Sequence, residues 1–136
     1  MTAAEARLEE LETILQTLRE VNDATPLLVE GEKDERALRA IGFTGTILRV
    51  NTGATVFQLC ESISRSHREI VVLTDWDRFG GHLARLVTDA FHANGVATDL
   101  TARKALARAT RKEITQVESL DTYLVNLRDR ARLPSS

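Results

Sequence analysis

The chain holds one cysteine, one tyrosine and three histidines in 136 residues. A lone Cys60 excludes an internal disulfide and suits a reducing compartment. It lies in an apolar helical pattern with no partnering base, so it reads as a packing residue rather than a nucleophile. His67, His82 and His92 fall on separate elements and, with a single cysteine, make no zinc-finger spacing. Each is read as structural or solvated. No run approaches the roughly 18 to 20 apolar residues needed to cross a bilayer, and positions 1–11 are acidic rather than basic and then apolar. Neither membrane insertion nor secretion is expected, and a cytoplasmic location follows. Low-complexity tracts are absent, as is any repeat of roughly 20 to 50 residues, which excludes a solenoid and confines disorder to the ends.

What is present is the composition of one ordinary globular domain, 43% hydrophobic and 28% charged, long enough to bury a core without disulfides or a structural metal. The formal net charge of -2 hides an asymmetry. Positions 1–35 carry ten acids and three bases, whereas 101–136 carry four acids and eight bases. A basic end of this kind meets phosphates or forms a solvated helix face.

Leu8, Leu11, Ile14, Leu15, Leu18 and Val21 recur at spacings of three and four, which predicts an amphipathic helix over 2–21. Asn22, Asp23, Thr25 and Pro26 break it, and Pro26 biases Thr25 toward extended geometry. A buried strand then runs over 26–30, a helix over 32–41 ending at Gly42, and a β-branched strand over 46–50. The pattern repeats with a helix over 54–66, the strand at 69–74, a helix over 80–94 stopped by Gly95, and a fourth strand at 96–100. Two further helices occupy 102–130, and 134–136 reads as a frayed tail. Continuous apolar strands alternating with helices require a parallel sheet covered on both faces. The expected fold is therefore three-layer α/β with a central, mainly parallel sheet of about four strands.

Ligands of such sheets bind at the carboxyl ends of the strands. Glu30 closes the first strand, in Val29-Glu30-Gly31, and Asp75 and Asp77 close the third, in Leu73-Thr74-Asp75-Trp76-Asp77. Hard oxygen ligands one residue apart suit magnesium, which takes one or two carboxylates and keeps several waters. Asp75 and Asp77 are the natural metal pair. Glu30 either shares the metal or moves a proton, and the proton role is preferred. Gly31 and Gly80 would let the backbone turn sharply beside a phosphate. Asp77 alternatively caps the helix that follows.

In these motifs the chain resembles the Toprim family, shared by type I and II topoisomerases, bacterial-type primases, overcoming-lysogeny-defect nucleases and ribosomal-RNA-maturing ribonucleases. The match spans about 25–127, with the Glu-Gly step and the Asp-x-Asp in the family's order, 45 residues apart. Asn51-Thr52-Gly53-Ala54 resembles the turn that stand-alone Toprim proteins place between the two motifs, and Glu118 resembles a late acidic position of the ribonucleases, without its flanking glycine. The resemblance implies a Rossmann-like Toprim domain over 25–136, preceded by an additional amphipathic helix at 1–24. It implies magnesium, with manganese as a substitute, on Glu30, Asp75 and Asp77, with Glu118 as a further candidate ligand. Glu30, Asp75 and Asp77 are then the catalytic set, and Gly31, Gly53 and Gly80 the turn glycines.

The activity implied is phosphodiester chemistry on nucleic acid. Tyr123 lies on an apolar stripe and no topoisomerase or primase accessory domain is present, which leaves an endonuclease, on RNA rather than DNA by likeness to the ribosomal-RNA-maturing relatives. The rival reading is a non-catalytic nucleic-acid-binding or complex-forming module. A haloacid-dehalogenase-type phosphatase also uses Asp-x-Asp, but after its first strand, so the order of elements argues against it. Lys33 and Arg78 flank the acidic motifs, and Arg103, Lys104, Arg108, Arg111 and Lys112 form a basic run. All seven are candidate phosphate contacts, the alternative being solvated surface or neutralisation of nearby acids. Trp76 and Phe79 either stack on a base or pack on the sheet end. The leucine stripe of the first helix is covered by its own domain or by a second copy, a homodimer being the latter case.

Overall fold

The computed structural model of the chain describes residues 1–132, and the tail at 134–136 lies outside them. Among the described residues six α-helices and four strands alternate. They are α1 (Ala3–Asn22), β1 (Leu27–Val29), α2 (Glu32–Ala40), β2 (Ile47–Arg49), α3 (Val56–Ser64), β3 (Glu69–Val72), α4 (Arg78–Ala93), β4 (Ala97–Asp99), α5 (Thr101–Ala109) and α6 (Leu120–Arg132), with one 3-10 turn at Val117–Ser119. The strands are all parallel, in the order β2-β1-β3-β4.

Successive strand residues point to opposite faces of a sheet, and here both sets are apolar. Leu27, Val29 and Val71 face a core that also holds Leu11, Leu15 and Leu18 of α1, Leu38 of α2, Leu106 of α5 and Leu120, Leu124 and Leu127 of α6. Leu28, Ile70 and Val72 face the other side, against Cys60 and Ile63 of α3 and Leu83, Val87 and Phe91 of α4. The result is the three-layer α/β fold. The stripe of α1 is covered by its own chain, with Leu11, Leu15 and Leu18 all buried. The helix is thus part of the main core, and a homodimer through α1 would have to use its other faces. Cys60 is fully buried and burial pushes its thiol up to about 11, as a packing residue requires. Among the described residues no helix is long and apolar enough to cross a membrane.

The strand order creates the place for a site. The chain moves from β1 outward to β2 and then returns past β1 to β3, so β1 and β3 are neighbours on which the direction of winding reverses. With crossovers of one hand, that reversal moves the connecting helices from one face to the other, and α2 and α3 do lie on opposite faces. The crevice where ligands enter such sheets opens at the carboxyl ends of these two strands. Asn22 secures the geometry from below, donating through Nδ2 to the carbonyls of Thr25 and Thr46 and accepting the Gly45 N–H, at 3.1, 3.0 and 3.0 Å.

Element boundaries moved where a cap decided them. α3 begins at Val56 rather than at 54, because Thr55 and Gln58 form a reciprocal capping box. α4 begins at Arg78 rather than at 80, because Asp77 is its N-cap and accepts the Gly80 N–H at 2.7 Å.

Candidate acidic site at the strand ends

Glu30 follows β1 directly and Asp75 lies three residues beyond β3. The two segments are joined by the Asp75 N–H, which donates to Glu30 Oε2 at 2.8 Å. Asp75 Oδ1 in turn accepts the Val117 N–H at 2.9 Å, bringing in the turn before α6. Each of Glu30, Asp75 and Asp77 therefore has one oxygen oriented by one backbone N–H. The second oxygen of each accepts no backbone N–H among the described residues, and the Glu30 and Asp75 carboxyls lie within hydrogen-bonding reach of each other.

Asp34 completes the cluster in a different way. It is buried, and both of its oxygens are engaged: Oδ2 accepts the Gly31 N–H at 3.0 Å and Oδ1 the Glu118 N–H at 3.1 Å. Asp34 thus pins the loop after β1 to the turn before α6. A glycine followed three residues later by aspartate at a helix start is a capping signal, and it was the one sequence trace of this role. Gly31 itself has φ -156°, extended backbone open to any residue, so no sharp turn depends on it. Gly53 does adopt φ +85°, the left-handed region that favours glycine.

Packing these carboxylates together has an electrostatic cost. Burial pushes the Asp75 carboxyl up to about 7, with the Val117 N–H opposing and the charges of Glu30, Asp34 and Asp77 adding to the rise. Burial also raises Glu30, against the Asp75 N–H and with Asp34 and Asp77 reinforcing it. Asp34 is raised by burial and by the nearby charge of Glu118. Glu118 therefore sits beside Asp34, at the edge of the cluster.

Of the seven candidate phosphate contacts, Arg103 is the one turned inward. Its Nη2 donates to the Asp75 carbonyl at 2.7 Å and its Nε to that of Thr74 at 3.1 Å. Burial lowers its pKa while Asp77, Glu30 and Asp75 pull the other way. Arg103 is therefore a brace for the acidic loop first. Lys33 and Arg78 are exposed on the first turns of α2 and α4, Lys104 and Arg108 on α5, and Arg111 and Lys112 in the turn that follows, with φ of 50° and 59°. None of the seven makes an ion pair among the described residues, whereas Arg7, Arg36, Arg39, Arg49, Arg65, Arg128 and Arg132 all do.

Trp76 and Phe79 part company. Trp76 is buried, its Nε1 donating to the Ile114 carbonyl at 2.7 Å and its N–H to that of Thr115 at 2.9 Å. Phe79 is 66% exposed beside Asp77. Tyr123 is buried in the α6 interface, its hydroxyl bonded to Glu113 while Arg7 pairs with Glu113. Trp76→Phe keeps an aromatic ring and leaves the part-buried Ile114 carbonyl with only the longer Thr110 hydroxyl contact, at 3.5 Å. A loss of about 1–3 kcal/mol is expected, read as a lower urea midpoint, and an unchanged midpoint would show that water replaces the indole N–H.

All-oxygen donors under mutual repulsion are the donor set that a hard divalent cation neutralises. As the side chains stand, no three His, Cys, Asp or Glu among the described residues are grouped to enclose an ion. A hard divalent ion taken here would therefore rest on one or two carboxylates and water, not in a closed protein cage.

No family model matches the chain. A UPF0292 protein of Methanosarcina barkeri is 37% identical over 123 residues, covering 90% of this chain and 85% of that relative. The chain belongs to the UPF0292 family. Other members align over similar lengths, that of Methanosarcina acetivorans at 35% identity (91% of this chain, 86% of the relative) and that of Methanocaldococcus jannaschii at 27% (85% and 91%). A solved structure of a protein from Aquifex aeolicus superposes on this UPF0292 fold with a TM-score of 0.69 at 17% identity, covering 80% of this chain and 96% of that one. That likeness concerns the fold alone.

Proposed function

We propose that this chain is a stand-alone Toprim-type endonuclease of a reducing, cytoplasmic compartment, which cleaves phosphodiester bonds of RNA, in preference to DNA, with magnesium or manganese. The observation that carries the reading is the convergence, at the crevice between β1 and β3, of three carboxylates that each keep one oxygen without a backbone donor. Support also comes from Lys33 and Arg78, exposed beside the acidic motifs and outside every ion pair among the described residues, and from the exposed Phe79 ring, placed to stack on an unpaired base.

Asp75 and Asp77 would hold the metal. Magnesium, when bound, stabilises the charge that develops on the phosphoryl oxygens. Glu30 receives the proton of the attacking water on Oε1, and burial among other acids raises its basicity for that task. Asp34 and Arg103 hold the two acidic loops in register. Cys60, a free thiol of the kind that reducing conditions preserve, supports the compartment assigned here.

A second reading, a nucleic-acid-binding module without catalysis, is favoured by the absence of an enclosed three-ligand group among the described residues. Labelled structured RNA and single- and double-stranded DNA, incubated with magnesium or with chelator, separate the two. Magnesium-dependent cleavage of RNA is expected. Binding without cleavage of any substrate, at any magnesium or manganese concentration, sinks the nuclease and leaves the module.

A further inference from the structure

We propose that the cavity between α4 and α5 is a phosphate-binding site distinct from the acidic centre. Its volume is about 230 Å³, below the roughly 300–1,000 Å³ of pockets for drug-sized ligands, so it admits one small group. Ala84 and Leu100 form its apolar lining, and Arg85, Thr88, Asp89 and Arg103 the polar one.

Three observations identify the occupant as an anion with several acceptor oxygens. The Thr88 hydroxyl is the one buried side-chain oxygen or nitrogen without a hydrogen-bond partner among the described residues, and a buried hydroxyl ordinarily has one. Arg85 stands four residues before Asp89 on α4, the spacing of a helical ion pair, yet the two make none. Arg103 is already fixed by the Thr74 and Asp75 carbonyls through Nε and Nη2, and its Nη1 has no partner. A guanidinium held rigid with a donor to spare needs no further ordering to bind an anion. Two arginines and a threonine lining one small space match the tetrahedral oxygens of phosphate. The site lies against the acidic loop through Arg103, so a substrate phosphate held here would be a neighbour of the one reaching Asp75 and Asp77.

The test is calorimetric titration of the full chain, in chelator, with sodium phosphate and with one short oligonucleotide made with a 5′-phosphate and with a 5′-hydroxyl. Because metal is absent, the result does not depend on the nuclease reading, and lost cleavage with intact phosphate binding would tell against the acidic centre alone. Saturable phosphate binding is expected, weakened about tenfold or more by Arg85→Gln and several-fold by Thr88→Val, and strengthened by Asp89→Asn, which removes the one acid of the lining. Unfolding midpoints confirm that the three variants are folded. If only the 5′-phosphorylated oligonucleotide depends on Arg85, the ligand is a terminal monoester; if both do, it is a backbone diester. No saturable phosphate binding, or equal affinity in wild type, Arg85→Gln and Thr88→Val, overturns the proposal.

Discussion

Asp75→Asn and Glu30→Gln are each expected to reduce magnesium-dependent cleavage by at least the ~10²–10⁴ that general acid–base assistance supplies, without unfolding the chain. Both replacements are isosteric, and in each the side-chain carbonyl can still accept the N–H that orients it: Val117 for residue 75 and Asp75 for residue 30. What is lost is the negative charge, and with it the ligand or the proton acceptor. Single-turnover cleavage rates measure the loss, and wild-type rates in both variants would remove the acidic centre from the mechanism.

The same substitution has a second, opposite consequence for stability. The Asp75 carboxyl is raised from its ordinary value of 3.8 to about 7, first by burial and then by Glu30, Asp34 and Asp77. The folded chain therefore holds this proton more tightly than the unfolded chain does. Its contribution is fully present below about pH 4 and is lost as pH rises through about 7. In chelator, wild-type stability should fall across that window on account of this group, whereas Asp75→Asn should escape the fall and be the more stable protein at pH 8. Urea midpoints at pH 5 and 8 decide it, and parallel curves for the two proteins would mean that neither burial nor the neighbouring carboxylates hold the Asp75 proton.

Gly80→Ala is expected to be the most destabilising single-methyl change near the site. A Cβ at that position would lie 1.9 Å from the Asp75 carbonyl oxygen, 2.5 Å from its carbon and 2.9 Å from its Cα. All three are backbone atoms with no rotamer to yield, so α4 would have to move off the acidic loop. The loss should reach or exceed the ~3 kcal/mol at the upper end of ordinary overpacking. Gly81→Ala is the control. Its nearest heavy atom, Arg103 Nη2, lies 3.5 Å away, an ordinary contact, so the roughly 1 kcal/mol that alanine gains over glycine in a helix should appear instead. Opposite signs at adjacent glycines of one helix test the packing of α4 on Asp75, and equal effects would show that α4 is free to shift.

The three-layer fold was legible because its signal is local: apolar runs of strand length, helices of period 3.6 and stops at Gly42 and Gly95 all lie within short windows. The same holds for Glu30, Asp75 and Asp77, since acids at the carboxyl ends of strands announce themselves by position. Asp77 was legible in both its roles, as cap and as candidate ligand, and the structure shows it capping α4 with one oxygen while the other is free.

Other features were beyond local reading. Arg103 looked like one more member of a basic run until its partners proved to be main-chain carbonyls 28 and 29 residues away. Val117 and Glu118 act through backbone N–H groups that any residue carries, and so leave no side-chain signature, while the Asp34 carboxylate accepts such groups from Gly31 and Glu118. Trp76 and Phe79 differ in burial because of where the 114–115 segment returns, and the α1 stripe was equally suited to a second copy. The sequence by itself determined the class of the fold and which acids stand at strand ends. Only the tertiary structure decided that β1 and β3 are adjacent, with β2 displaced outward, and hence that these acids meet. The physical reason is that strand order depends on how whole helices pack across the two faces of the sheet, a competition among contacts far apart in the chain, whereas periodicity and capping are settled within a few residues.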